Sequence, residues 1–105
     1  MKSGIYQIRN LVNNKIYIGS TKDFIVRERS HRSRLYTEKH HSSYLQNAYN
    51  KYGNNAFVFE VLLTCPESEL LRIEQYFLNN YKPEYNMAPN AGSIVGMKMS
   101  EENRR

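Results

Sequence analysis

A chain of 105 residues is long enough for one hydrophobic core and too short for two. Its net charge of +5 and pI near 9.4 favour a polyanionic partner. Cys65 is the only cysteine, which excludes an intramolecular disulfide and a cysteine metal cluster; no apolar run approaches the length of a membrane span, and Met1-Lys2-Ser3 leads into the first expected strand without a signal-peptide pattern.

Ile5 to Ile8 and Ile16 to Ile18 read as two short strands of β-branched and aromatic residues. The connection contains Asn13-Asn14, and asparagine tolerates the left-handed backbone angles of a hairpin turn. A loop of two or four residues sets Leu11 opposite Ile16 and Asn10 opposite Tyr17, whereas an odd-length loop would break the facing that follows. Tyr6, Ile8 and Asn10 then share a face with Tyr17, because side chains alternate along a strand. Two tyrosines on one face can point into a common site.

Ser20 or Thr21 is suited to cap a helix from about Lys22 to Tyr36, with Asp23 in its first turn. Phe24, His31 and Leu35 fall in one narrow stripe at helical spacing, with Arg27 on its edge and four residues before His31. Arg27 and His31 are therefore neighbours at the border of the buried face. Ile25 and Val26 fall outside the stripe. Ser42 or Ser43 then caps a second helix, whose Leu45, Ala48, Tyr49 and Tyr52 form a core face ending at Gly53.

Ala56 to Leu63 alternates, with Phe57, Phe59, Val61 and Leu63 on one face and Val58, Glu60 and Leu62 on the other. Being apolar on nearly both faces, it is the expected central strand, with Glu60 an edge-facing charge rather than a ligand. Pro66, Glu67 and Glu69 suit the start of a third helix. Its apolar arc is built by Leu70, Ile73, Phe77 and Tyr81, with Leu78 and Leu71 further round. Glu74 lies inside that arc. A carboxylate there is costly to bury alone and must meet a cation, a metal or a donor.

Charge is unevenly spread. From Thr21 to Tyr52 there are seven basic residues (Lys22, Arg27, Arg29, Arg32, Arg34, Lys39, Lys51) against three acidic ones, and all three histidines lie there. Acidic residues concentrate from Glu60 to Glu84. One half suits phosphates, and Lys22, Arg29, Arg32, Arg34 and His41 are its candidate nucleic-acid contacts.

Gly4-Ile5-Tyr6 followed by Tyr17-Ile18-Gly19 resembles the two-part signature of the GIY-YIG nuclease family, most like the catalytic domain of a homing endonuclease. Ile73-Glu74-Gln75-Tyr76 resembles that family's glutamate motif, and Tyr85-Asn86-Met87 its closing Tyr-Asn element. The resemblance covers roughly residues 1–90. It implies an α+β fold, a small single domain with a three-stranded antiparallel sheet flanked by helices. It implies a metal-dependent endonuclease that hydrolyses phosphodiester bonds of double-stranded DNA, the catalytic domain being monomeric. The residues it points to are Tyr6 and Tyr17 (water and proton handling), Arg27 (charge at phosphorus), His31 (phosphate or proton transfer), Asn86 at the border of the site, and Glu74 as ligand of Mg2+ or another divalent cation. Residues 91–105 resemble a linker and the start of a truncated modular DNA-binding region.

Two other readings stand beside this one. A non-catalytic nucleic-acid-binding module would use the basic helix and exposed tyrosines for stacking, but has no need for a carboxylate in an apolar helix face. A repair or restriction nuclease of the same fold would share every motif above.

Overall fold

The computed structural model describes residues 2–86. The segment 91–105, with its expected linker and modular region, lies outside them. Three strands form one antiparallel sheet: β1 (Gly4–Asn10), β2 (Ile16–Thr21) and β3 (Phe57–Thr64), in the order β2-β1-β3. The helices are α1 (Phe24–Tyr36), α2 (Ser43–Tyr52) and α3 (Leu70–Tyr81). The central strand is β1, not Ala56–Leu63 as its apolarity suggested. Five of the seven β1 residues are buried, whereas β3 leaves Val61 and Leu63 exposed at 52% and 41%. Apolar content alone does not separate a sandwiched strand from an edge strand with one poorly covered side. Glu60 is held within the sheet: Arg9 grips both of its oxygens at 2.9 and 2.8 Å and Gln7 adds a third hydrogen bond. Those bonds, Arg9's first, hold its carboxyl down at about 2.

The β1–β2 connection is longer than expected, and the register differs by two residues. Ile8 pairs with Tyr17 and Arg9 with Ile16. Asn10 causes this. Its side chain accepts from the Val12 amide and its carbonyl from the Asn14 amide, so the chain turns before Leu11 can pair. Asn14 takes the left-handed conformation (φ 63°). A shift by two preserves facing, so Tyr6 and Tyr17 share a side as anticipated.

Two clusters of side chains sandwich the sheet. On one face Tyr6, Ile8, Tyr17 and Phe57 pack with Leu35 of α1, Leu45 of α2 and Tyr85. On the other, Ile5 and Ile18 pack with Leu70 and Leu78 of α3. Leu71 and Tyr81, placed in the α3 arc by the wheel, are 61% and 53% exposed; Leu71 lies at the margin of the arc and Tyr81 is the last residue of the helix. The alternation of β3 breaks at a bulge: Tyr6 faces Val61, but Ile5 faces Leu63. There the β3 backbone closes on Gly4, where a methyl group would overlap the Leu63 carbonyl.

Helix α1 starts two residues later than expected. Asp23 is its cap, accepting from the Ile25 and Val26 amides, while Thr21 instead receives the Asp23 amide. Ile25 and Val26, unplaced by the stripe, are exposed. Ser42 caps α2 through the Leu45 amide, and Gly53 ends it at φ 89°. A single 3-10 turn, Glu67–Glu69, precedes α3, which Lys82 terminates in the left-handed conformation.

Candidate active site

Tyr6 is fully buried on the central strand, with its ring stacked on Phe59 at 4.6 Å. Its register partner is Gly19. A methyl group at Gly19 would overlap the Tyr6 hydroxyl, so the glycine is the gap through which the phenol reaches the site. Helix α1 delivers two side chains one turn apart to that oxygen. Arg27 Nε donates to it at 3.2 Å, and His31 Nε2 lies 2.5 Å from it. The expected adjacency of Arg27 and His31 at the border of the stripe thus becomes a shared contact. Arg27 is half-buried and His31 buried.

Tyr17 lies on the same face, edge-on to the His31 ring, and its hydroxyl is 2.7 Å from His41 Nε2. Sequence reasoning placed His41 among the phosphate contacts; the structure sets it half-buried beside Tyr17 and stacked on His40 at 4.4 Å. His40 was not singled out by sequence. It is 8% exposed, and its Nε2 is 2.7 Å from His31 Nδ1. Its one sequence signal was position in a three-histidine stretch, which does not distinguish a buried imidazole from a solvated one.

Burial sets the electrostatics. It pushes the Tyr6 phenol up to about 12, against a pull from the Arg27 charge and hydrogen bond. It drives Tyr17 higher still, so Tyr6 is the more readily ionised of the two. Burial, then Arg27, hold His31 down at about 2. Burial and the neighbouring His41 hold His40 near 4. All four groups are neutral at pH 7.

Glu74 comes from the opposite face of the sheet on α3. It is half-buried, and its Oε1 accepts from Ser20 Oγ at 2.6 Å. Among the described residues it forms no ion pair. Desolvation raises its pKa, with Ser20 and Arg27 opposing. Its charge is close enough to act on Tyr6, Tyr17 and Arg27. No group of three His, Cys, Asp or Glu among the described residues makes a self-contained metal cage. Glu74 nonetheless fits a hard divalent ion of the Mg2+ type. Such ions bind through one or two carboxylates with phosphate and water, and one Glu74 oxygen has no hydrogen bond among those the structure gives it.

Asn86 reaches the site indirectly. Its amide accepts from Ile18 N–H and donates to Ile18 C=O, both at 2.8 Å. It occupies the place of a neighbouring strand along the outer edge of β2, between Tyr17 and Gly19. Of the candidate phosphate contacts, Arg29 and Arg34 are exposed on α1, and Arg34 acts electrostatically on all three histidines. Lys22 is exposed, 3.9 Å from Glu67. Arg32 is engaged inside the fold, with Glu28, the Asn54 side chain and the Phe57 carbonyl.

The family description that matches this chain is the GIY-YIG catalytic domain, over residues 2–86. Intron-associated endonuclease 1 of Enterobacteria phage T4 is 47% identical over 75 residues, 71% of this chain and 30% of that protein. Probable intron-encoded endonuclease 1 of Neurospora crassa is 37% identical over 112 residues, 98% of this chain and 36% of that protein. The chain therefore spans about a third of the length of these relatives. Among solved structures, a mutant of the catalytic domain of intron endonuclease I-TevI superposes with a TM-score of 0.78 at 38% identity, covering 87% of this chain and 98% of that one. A second structure of that catalytic domain gives 0.75 at 38% identity, covering 83% and 99%.

Proposed function

Because the chain belongs to the GIY-YIG catalytic-domain family, we propose that it is the nuclease domain of a homing endonuclease, hydrolysing phosphodiester bonds of double-stranded DNA with Mg2+. The observation that carries this is Glu74. It is a half-buried carboxylate without an ion pair among the described residues, placed where its charge acts on both site tyrosines and Arg27. A pure binding surface has no use for it.

Each residue has a task that its environment suits. Arg27 is permanently charged and forked. One N–H is spent on Tyr6, and the rest of the guanidinium serves the negative charge that grows on the phosphoryl oxygens. In its ionised form, its own proton released to bulk water, the Tyr6 oxygen is placed to take the proton of an attacking water. Tyr17, higher in pKa, stays a neutral donor that orients water or phosphate. Glu74, steadied by Ser20, would hold the divalent ion, which supplies Lewis-acid stabilisation at the leaving oxygen. Arg29, Arg34 and Lys22 neutralise flanking phosphates and give binding that weakens steeply with salt. Asn86 keeps the strand carrying Tyr17 and Gly19 in place.

A plasmid-nicking assay tests the proposal. Supercoiled DNA should relax or linearise with Mg2+ and remain intact with EDTA. Arg27→Ala, folded by circular dichroism, should lose at least a hundredfold in rate, since a charge-stabilising group in such a site contributes roughly that much. An intact plasmid under all conditions, or a folded Arg27→Ala variant within tenfold of the parent, would overturn it.

A further inference from the structure

The histidines beside Tyr6 carry more information than their burial. The Ser42 amide donates to His40 Nδ1 at 3.0 Å. A backbone amide can only donate, so His40 Nδ1 is an acceptor and a neutral His40 carries its proton on Nε2. That proton faces His31 Nδ1 at 2.7 Å, so His31 Nδ1 also accepts and its proton sits on Nε2. Nε2–H in turn faces the Tyr6 oxygen at 2.5 Å. The direction of every bond in this row follows from one main-chain amide. The loop that supplies it is rigidly held: Ser42 Oγ donates to the Tyr85 carbonyl at 2.6 Å, and the His40 amide donates to Gln46 Oε1 at 3.1 Å.

We propose that His40 is a positioning residue: anchored by the Ser42 amide, it fixes His31 in the Nε2–H tautomer, so that the Tyr6 oxygen receives hydrogen bonds from both His31 and Arg27. His31 is then no proton acceptor, because its Nδ1 is engaged by His40 and its Nε2 already bears hydrogen. Two donors on one phenol oxygen favour the phenolate over the phenol. With both nitrogens donating, the Tyr6 O–H has no acceptor among the hydrogen bonds the structure gives it. The groups that bear on this titration are Arg27 and His31 from α1, Tyr17 from β2 and Glu74 from α3, with Arg34, His40 and His41 facing His31.

The part of this inference that concerns rate rests on Tyr6 being the proton acceptor of the proposed reaction; the tautomer does not. Two-bond 1H–15N correlation spectra of the 105-residue chain at pH 7.5 read it directly. His31 should show a single Nε2–H tautomer, as should His40. A His31 population with the proton on Nδ1, or a rapidly averaging mixture, would overturn the proposal without any variant. His40→Leu fills the space but removes the donor, and His31 should then populate Nδ1–H. His40→Gln places an amide N–H where the ring Nε2–H was and should restore the single tautomer. In nicking assays at pH 8, far below the range where the phenol ionises, the rate should fall about tenfold in His40→Leu, the scale of one lost hydrogen bond to a charged oxygen, and return in His40→Gln, with KM unchanged. A folded His40→Leu with unaltered His31 tautomer and unaltered nicking rate would refute the positioning role. A parent chain that shows the tautomer but cuts no DNA would count against the nuclease reading instead.

Discussion

Acid should destabilise this domain through its histidines well before its carboxylates titrate. His31 and His40 are neutral in the fold, held down at about 2 and about 4, whereas in the unfolded chain each titrates near 6.5. The unfolded state therefore binds more protons below that value, and stability falls as pH drops through about 6.5, until about 4 for His40 and about 2 for His31. Between pH 7 and pH 5 a fully buried, never-protonated histidine contributes a loss of about 2 kcal/mol. His31 should give that amount. His40, at the outer side of the row, is assigned about 1 kcal/mol after allowance for solvent screening. The sum is about 3 kcal/mol, large against the 5–15 or so typical of a small domain. Glu60 does not interfere. Its carboxyl is held at about 2, so its contribution is lost only as pH falls below the ordinary carboxylate range. Glu74 is raised and opposes the loss, because its folded form takes up a proton earlier than its unfolded form. Urea unfolding at half-unit intervals from pH 7.5 to 5, in the parent and in Glu74→Gln, isolates the histidine share. A change under about 1 kcal/mol in the Glu74→Gln background would refute the neutral, buried state of these histidines.

Gly19→Ala should cost about 2–3 kcal/mol, the scale of overpacking, since the ring it strikes is fully buried and pinned at its hydroxyl. For a chain of this size that is a fall in Tm of roughly 10–20 °C, and a loss under about 3 °C on thermal melting would contradict the steric account. Glu74→Gln should abolish Mg2+-dependent nicking yet melt no lower than the parent without metal, because an amide still accepts from Ser20 and carries no charge to bury; a drop beyond about 5 °C with activity retained would end the metal-ligand assignment. Asn86→Ala strands two backbone groups of Ile18 and should destabilise by about 1–3 kcal/mol, with faster hydrogen exchange at the Ile18 amide as its direct readout.

Much of this site was legible because its residues contradict their surroundings. Glu74 stands in an apolar arc, Arg27 and His31 border a buried stripe, and Tyr6 and Tyr17 share facing for any even-length connection between their strands. What stayed hidden depended on contacts distant in sequence or on backbone groups. The central position of β1 is decided by which strand pairs on both sides, which apolarity does not encode. The bulge that turns Leu63 to face Ile5 leaves the alternating pattern of Ala56–Leu63 intact in the sequence. His40 looks like any loop histidine until the Ser42 amide and His31 are seen around it. Asn86 reads as one more polar residue near a chain turn, because its partners are the main-chain atoms of Ile18, 68 residues away.

The two margins of the sheet share a fate. A free strand margin is a row of unpaired amides and carbonyls that invites another copy to join. Along β2 that row is consumed from within: Ile16 N–H goes to Glu84, Ile16 C=O to the Tyr85 amide, and both polar groups of Ile18 to Asn86. Along β3 the bulge breaks the spacing of the row, and the Glu60–Arg9 pair sets charge beside it. A three-stranded sheet is about the smallest that stands alone in water, and this one remains that size because neither margin offers a newcomer a regular ladder to extend.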